Sequence, residues 1–234
     1  MKNKIIFTTE LEGLMEFPEL YPQPASKYIP EWYKKLPTEV KLKNDFNSKV
    51  IPNLKTIKTC PSFADIFKEG FVLLSPCDLY FRIDNDGFWQ WQTPDPDIKI
   101  DVHEDEQFVN YFKEKNVRKV FKLVSPWYAI TPKGWSIRQV PNIYDFNKDW
   151  QVAYGILNSD VEHELNQQII YTSDKNEILI KKGSVLNYIV PFKRNETLNY
   201  EVKKADKELK NYINKSKRLV KSSFRTAIPY YRHS

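Results

Sequence analysis

Two histidines and one aspartate are spaced as ligands of a non-haem iron centre. His103 and Asp105 form a His-x-Asp pair, and His163 follows 60 residues later. Two histidines and one carboxylate on one face of an iron ion leave positions open for oxygen and a co-substrate. The pattern therefore predicts, as one hypothesis, a cupin-like oxygenase that uses Fe(II). The alternative is a solvated acidic turn with incidental histidines, because no arginine closely follows His163, and Arg138 or Arg194 would have to hold an oxoacid.

Four tryptophans and one arginine form a second candidate site. Trp89 and Trp91 alternate with glutamines, while Trp127 and Trp135 lie on either side of a turn. Aromatic faces stack on sugars, bases and peptides, so these rings predict the lining of a ligand-binding pocket with Arg138 as a polar anchor. The alternation also indicates a core between two sheets, and it favours this second interpretation.

Basic residues are concentrated at the end of the chain. From Lys193 to Ser234 there are twelve Lys and Arg against four Asp and Glu, an excess of eight within a total charge of +6. This tail predicts a nucleic-acid-associated function, with phosphates as ligands. It is also compatible with a solvated helix face, or with docking on the acidic stretch Asp84–Glu106 of the same subunit or of a second subunit in a homo-oligomer.

The residues around these sites are typical of short strands. Runs of β-branched and aromatic residues alternate with prolines and glycines. The turn Thr131–Gly134 predicts a hairpin at the centre of Lys119–Val140, and Asp84–Gly87 predicts another. Short helices are expected at Glu31 and after Pro61.

The fold class follows from this pattern. Apolar residues recur at helical intervals only between Val202 and Val220, and no strand–helix–strand alternation is present. We therefore predict a mainly β chain, an antiparallel β-sandwich or jelly-roll-like barrel with short N-terminal helices and a long C-terminal basic helix. The expected division is a β domain at residues 1–194 and a basic helical tail at 195–234.

Composition places the chain in a reducing compartment. Cys60 and Cys77 are too few for a disulfide framework. No signal-peptide pattern is present at the N-terminus, and no stretch has the roughly 18 to 20 apolar residues of a membrane span. We expect a cytoplasmic protein that has no association with membranes.

Four segments of the chain carry a resemblance to other proteins: Pro22–Pro37 (PQPASKYIPEWYKKLP), Ile57–Phe81, Trp127–Asn142 (WYAITPKGWSIRQVPN) and Lys181–Arg194. Together they resemble one family of proteins of unknown activity, encoded mainly by tailed bacteriophages of marine bacteria and cyanobacteria. The resemblance implies a phage protein that acts in the cytoplasm of an infected cell or in the virion, and it assigns no catalytic residues. We therefore predict a β domain that binds a ligand or a partner.

Overall fold

The computed structural model describes residues 4–40, 54–108, 117–194, 196 and 199–226. They belong to two compact units, one within residues 1–30 and 69–196 and the other within 31–68 and 197–234. Among the described residues, no helix has both the length and the apolar character needed to cross a bilayer.

The chain is mainly β. The α-helices are α1 (Glu31–Lys35), α2 (Pro61–Ile66) and α3 (Lys207–Thr226). Short 3-10 helices cover Glu12–Glu16, Pro18–Leu20, Ala25–Lys27, Ile57–Thr59, Asp105–Phe108 and Ile143–Asp145. The strands are β1 (Ile6–Thr8), β2 (Gln23–Pro24), β3 (Glu39–Val40), β4 (Leu54–Lys55), β5 (Phe71–Leu74), β6 (Leu79–Ile83), β7 (Trp89–Gln92), β8 (Lys99–Val102), β9 (Lys119–Val124), β10 (Tyr128–Ile130), β11 (Trp135–Pro141), β12 (Trp150–Val152), β13 (Gly155–Leu157), β14 (Gln167–Tyr171), β15 (Glu177–Ile180) and β16 (Val185–Lys193).

The strands of the first unit form antiparallel sheets. A five-stranded sheet has the order β13-β11-β16-β5-β2, a four-stranded sheet the order β12-β14-β9-β8, and a three-stranded sheet the order β15-β6-β7, while β1 pairs with β10. This architecture confirms the predicted mainly β, antiparallel sandwich.

The three-stranded and four-stranded sheets pack face to face. Alternate residues of β6 are buried, and the ring of Phe81 lies 4.6 Å from the ring of Phe121 in β9, centroid to centroid. Because successive side chains of a strand point to opposite faces, this alternation produces one apolar face per sheet. The result is the first core, which the Tyr171 ring also joins.

The five-stranded sheet is covered on both faces. Ile137 and Ile189, both 0% exposed, point into a second core with Trp127. Val72 and Tyr188 point to the opposite face and form a third core. The strands β11 and β16 of this sheet are therefore packed on both faces, which fixes the positions of the residues at their ends.

The second unit contains an aromatic cluster. Tyr33 of α1 stacks on Phe63 of α2 at 5.7 Å and contacts Phe67 at 4.9 Å, and Phe67 is 1% exposed. Pro61 is at the first position of α2, where its missing N–H costs nothing, as the sequence predicted. The C-terminal helix α3 is confirmed, and Tyr212 on it is 73% exposed.

One of the two predicted hairpins is wrong. The turn Asp84–Gly87 does join the paired strands β6 and β7, with Gly87 at φ 88°. The turn Thr131–Gly134 forms too, but β10 pairs with β1 and β11 pairs with β13 and β16. The chain therefore changes sheets at this turn.

Candidate ligand-binding site

The turn that precedes β11 is closed by backbone hydrogen bonds and by one carboxylate. The N–H of Trp135 donates to the carbonyl of Pro132 at 3.1 Å. Gly134 has φ 84°, in the left-handed region that favours glycine, and its N–H donates to Oδ2 of Asp160 at 2.8 Å. Thr131 Oγ1 and Ser159 Oγ are 2.8 Å apart in a buried hydrogen bond. The loop that contains Asp160 thus fixes both ends of the turn.

An ion pair between Arg194 and Asp160 also stabilises this turn. Nη1 of Arg194 donates to Oδ1 of Asp160 at 2.6 Å, and Nη2 donates to Oδ2, so the pair is bidentate. The same Nη1 donates to the carbonyl of Trp135 at 3.2 Å and to Oγ of Ser136 at 3.0 Å. The side chain of Asp160 is only 5% exposed. The arginine therefore connects the end of β16 to the start of β11.

The electrostatics of the pair agree with its geometry. The hydrogen bond from Arg194, followed by the hydrogen bond from the Gly134 N–H, lowers the pKa of Asp160 to about 2. The hydrogen bond to Asp160 raises the pKa of Arg194 above its ordinary value. Both groups are charged at neutral pH, so the ion pair, called the Arg194–Asp160 clamp below, is fully formed there.

A cavity of about 420 Å³ adjoins the clamped turn. Trp135 is half-buried, and Nζ of Lys193, its register partner on β16, lies 5.9 Å from the centroid of its ring. Nζ of Lys193 also lies 3.1 Å from Oε1 of Glu196, in an exposed ion pair. The lining includes one tryptophan, two lysines and two prolines, and its residues are Lys4, Ile5, Thr131, Pro132, Trp135, Pro191 and Lys193.

The structure distributes the predicted aromatic residues over several places. Trp89 and Trp91 are half-buried in β7 and pack against the first core, where the Trp89 ring lies 6.0 Å from that of Phe121. Trp127 is 2% exposed in the second core. Trp135, the fourth of these tryptophans, lines a cavity beside the turn that precedes β11.

Arg138 lies elsewhere on β11. It is exposed, and its guanidinium carbon is 4.3 Å from the centroid of the Phe192 ring. It follows Trp135 by three positions, an odd number, so the two side chains project from opposite faces of the strand. Arg138 is therefore not in the lining of the Trp135 cavity.

The two histidines of the iron hypothesis lie beside different strands. The N–H of His103 donates to the carbonyl of Val120 in β9, and the carbonyl of His163 accepts from the N–H of Ala129 in β10. Nε2 of His103 is 2.7 Å from Oε1 of Gln168, while Nδ1 of His163 donates to the carbonyl of Ser159 at 3.0 Å.

Metal ligation stays a prediction. The side chain of Asp105 lies outside the described part of the structure. Among the residues that are described, no group of three His, Cys, Asp or Glu residues is arranged to hold a metal ion.

Sequence reasoning missed Asp160, Lys4 and Lys193 as parts of one site. Asp160 precedes Arg194 by 34 residues, and neither residue belongs to a recognisable motif. The pairing of β11 with both β13 and β16 brings Asp160 and Arg194 to the same turn, and strand pairing is not visible in a single sequence.

No family model and no curated protein matches the chain. Two dUTPases are among the solved structures that show a distant likeness. The native dUTPase of EIAV has a TM-score of 0.33 and 9% identity, over 58% of this chain and 85% of its own. A mutant dUTPase of Staphylococcus bacteriophage 80alpha has a TM-score of 0.33 and 8% identity, over 59% of this chain and 85% of its own. Likeness at this level carries no functional argument.

Proposed function

We propose that the β-sandwich unit binds a small ligand that combines a planar ring with an anionic group, and that Trp135 and Lys193 are its main contacts. The protein carries out no chemistry on this ligand. It acts inside a phage-infected cell or in the virion, as the family resemblance implies. The observation that carries the proposal is the cavity lined by Trp135, Lys4 and Lys193, in which Nζ of Lys193 lies 5.9 Å from the centroid of the Trp135 ring.

The chemistry of the lining selects the ligand class. An indole ring and two prolines offer apolar surface to a flat group, while Lys4 and Lys193 attract a phosphate or a carboxylate. The ion pair of Lys193 with Glu196 does not prevent this, because exposed pairs contribute only about 0 to 1 kcal/mol. A ligand anion can therefore replace the carboxylate of Glu196.

The clamp prepares the site before a ligand arrives. Arg194 bonds to the carbonyl of Trp135 and to Asp160, which in turn accepts the N–H of Gly134. The backbone on both sides of the indole is thus fixed. A site whose geometry exists beforehand loses less entropy on binding.

Three probes test the ligand class. Phenyl phosphate has a ring and an anion, phenol has only the ring, and inorganic phosphate has only the anion. By calorimetry and saturation-transfer NMR on the full chain, phenyl phosphate should bind more tightly than either of the others. Equal binding of phenol and phenyl phosphate would contradict the role of the lysines.

Variants test the location. Lys193→Gln should weaken phenyl phosphate binding about tenfold, or about 1.4 kcal/mol, through loss of one charge-assisted contact. Trp135→Leu should weaken it at least as much. Lys148→Gln, which removes an exposed lysine outside the cavity, is the matched control and should bind like the wild type. If all three variants bind equally, the site lies elsewhere.

A further inference from the structure

A second cavity of the first unit, of about 810 Å³, is lined by acidic and apolar residues. It shares no lining residue with the Trp135 cavity. Its lining contains one lysine, Lys182, against six carboxylates, and we call it the acidic groove below. The six acidic residues are Glu10, Glu12, Glu16, Asp78, Asp95 and Asp97.

The acidic groove also offers apolar surface that solvent reaches. Phe17 is 41% exposed and Pro96 is exposed as well, while the buried Leu14 and Ile98 complete the apolar part of the lining. Nζ of Lys182 lies 4.2 Å from the centroid of the Phe17 ring, so this ring already presents a face to an ammonium group. The groove therefore suits a partner that combines apolar side chains with ammonium groups.

The helix α3 of the second unit has an exposed apolar face. Oδ1 of Asp206 accepts the N–H of Leu209 at 2.9 Å and so caps the start of this 20-residue helix, which is about 30 Å long. Leu209, Tyr212 and Ile213 are three and four positions apart and share one face. Tyr212 is 73% and Ile213 40% exposed. An exposed apolar stripe on an amphipathic helix indicates a surface for a partner.

Lysines border this apolar face on both sides. Lys210 and Lys217 lie three positions before and four positions after Ile213, and Lys215 lies three positions after Tyr212. All three lysines are exposed. Two copies of α3 would repel each other through these charges, whereas the carboxylates of the acidic groove attract them. The charge and the apolar surface of α3 are therefore complementary to those of the groove.

We propose that α3 of one copy of the chain docks in the acidic groove of a second copy, with the apolar face of α3 on the Phe17 side of the groove and its lysines among the carboxylates. An amphipathic helix in a groove is a recurring mode of protein recognition. When each copy supplies one helix and one groove, the two contacts are identical and close a symmetric dimer. The inference is independent of the ligand proposed at Trp135.

The first test measures self-association of the full chain by sedimentation velocity, over a series of concentrations at low and at high salt. The chain should be in equilibrium between monomer and dimer at low salt. High salt should weaken the dimer about tenfold or more, because it screens exposed charges. A chain that stays monomeric at low salt up to its solubility limit would overturn the proposal.

Charge reversal locates the contact. The groove variant carries Glu12→Lys and Asp97→Lys, and the helix variant carries Lys210→Glu and Lys217→Glu, all at exposed positions. Each variant alone should dimerise about tenfold or more weakly than the wild type, with its circular dichroism unchanged. An equimolar mixture of the two should regain the dimer, because each helix then faces a groove of opposite charge. A mixture that stays monomeric would overturn the proposal.

Two further variants complete the test. Asp174→Lys, an exposed charge reversal outside the groove, is the control and should dimerise like the wild type. Tyr212→Ser keeps the charge and should weaken the dimer severalfold, so an unchanged dimer would show that the apolar face of α3 is not in the contact. If the chain is monomeric and binds a single-stranded oligonucleotide that the helix variant no longer binds, α3 contacts nucleic acid instead, and the proposal is wrong.

Discussion

Replacing Gly70 by alanine should destabilise the first unit more than the same change at Gly87 or Gly183, two other glycines with positive φ. Gly70 has φ 70° and precedes β5. A Cβ atom at this position would lie 2.2 Å from the carbonyl oxygen of Ile189 and 3.1 Å from its carbonyl carbon. Ile189 belongs to β16, which is central in the five-stranded sheet. The neighbour is backbone, so a side-chain rotation cannot relieve the contact.

The magnitude follows from two contributions. A left-handed conformation costs a non-glycine residue about 1 to 2 kcal/mol. An ordinary C···O contact is about 3.3 Å, so β16 must also move by about 1 Å, which lengthens nearby ladder hydrogen bonds beyond useful range. The loss of about two such bonds, at about 1 kcal/mol each, brings the total to about 3 to 4 kcal/mol.

Matched controls isolate the contact. Gly87 and Gly183 have φ 88° and 78°, and a Cβ atom at either would meet nothing within 4 Å. Gly87→Ala and Gly183→Ala should therefore cost only about 1 to 2 kcal/mol. The assay is urea unfolding followed by tryptophan fluorescence and far-UV circular dichroism, with melting temperature as a second readout.

The comparison gives a clear criterion. Gly70→Ala should lower the melting temperature by roughly 4 to 8 °C more than either control, since about 2 kcal/mol separates them. If the three variants lose the same stability, the close approach of Gly70 to β16 does not exist in solution, and the packing argument fails.

Three further changes test the clamp and the core. Asp160→Asn should be less stable than the wild type at pH 7 in urea unfolding. Because the pKa of Asp160 is about 2 in the fold against an ordinary 3.8, the difference in stability between the two proteins should shrink as the pH falls from about 4 through 2. A difference that stays constant with pH would refute the ion pair with Arg194. Phe121→Ala should cost about 3 to 5 kcal/mol by chemical denaturation, against about 0.5 or less for the 58% exposed Phe88, and similar losses at both positions would contradict the first core. Gln167→Leu should raise the unfolding free energy by about 1 to 2 kcal/mol. Gln167 is 1% exposed, and neither its amide oxygen nor its amide nitrogen has a hydrogen-bond partner among the described residues. A loss of stability would show that the amide does form hydrogen bonds in solution.

The sequence predicted those elements that are determined by residues close to one another in the chain. Pro61 marked the start of α2, and the Asp84–Gly87 turn marked a hairpin. In each case the residues that determine the structure are neighbours in the chain.

The pairing of β10 could not be predicted in this way. Its partner β1 lies more than a hundred residues earlier, and the turn at Thr131–Gly134 is equally compatible with a hairpin and with a change of sheet. The surroundings of the tryptophans could not be predicted from local patterns either. Alternation places Trp89 and Trp135 on strand faces, but only the sheet topology decides that one packs against a core and the other lines a cavity.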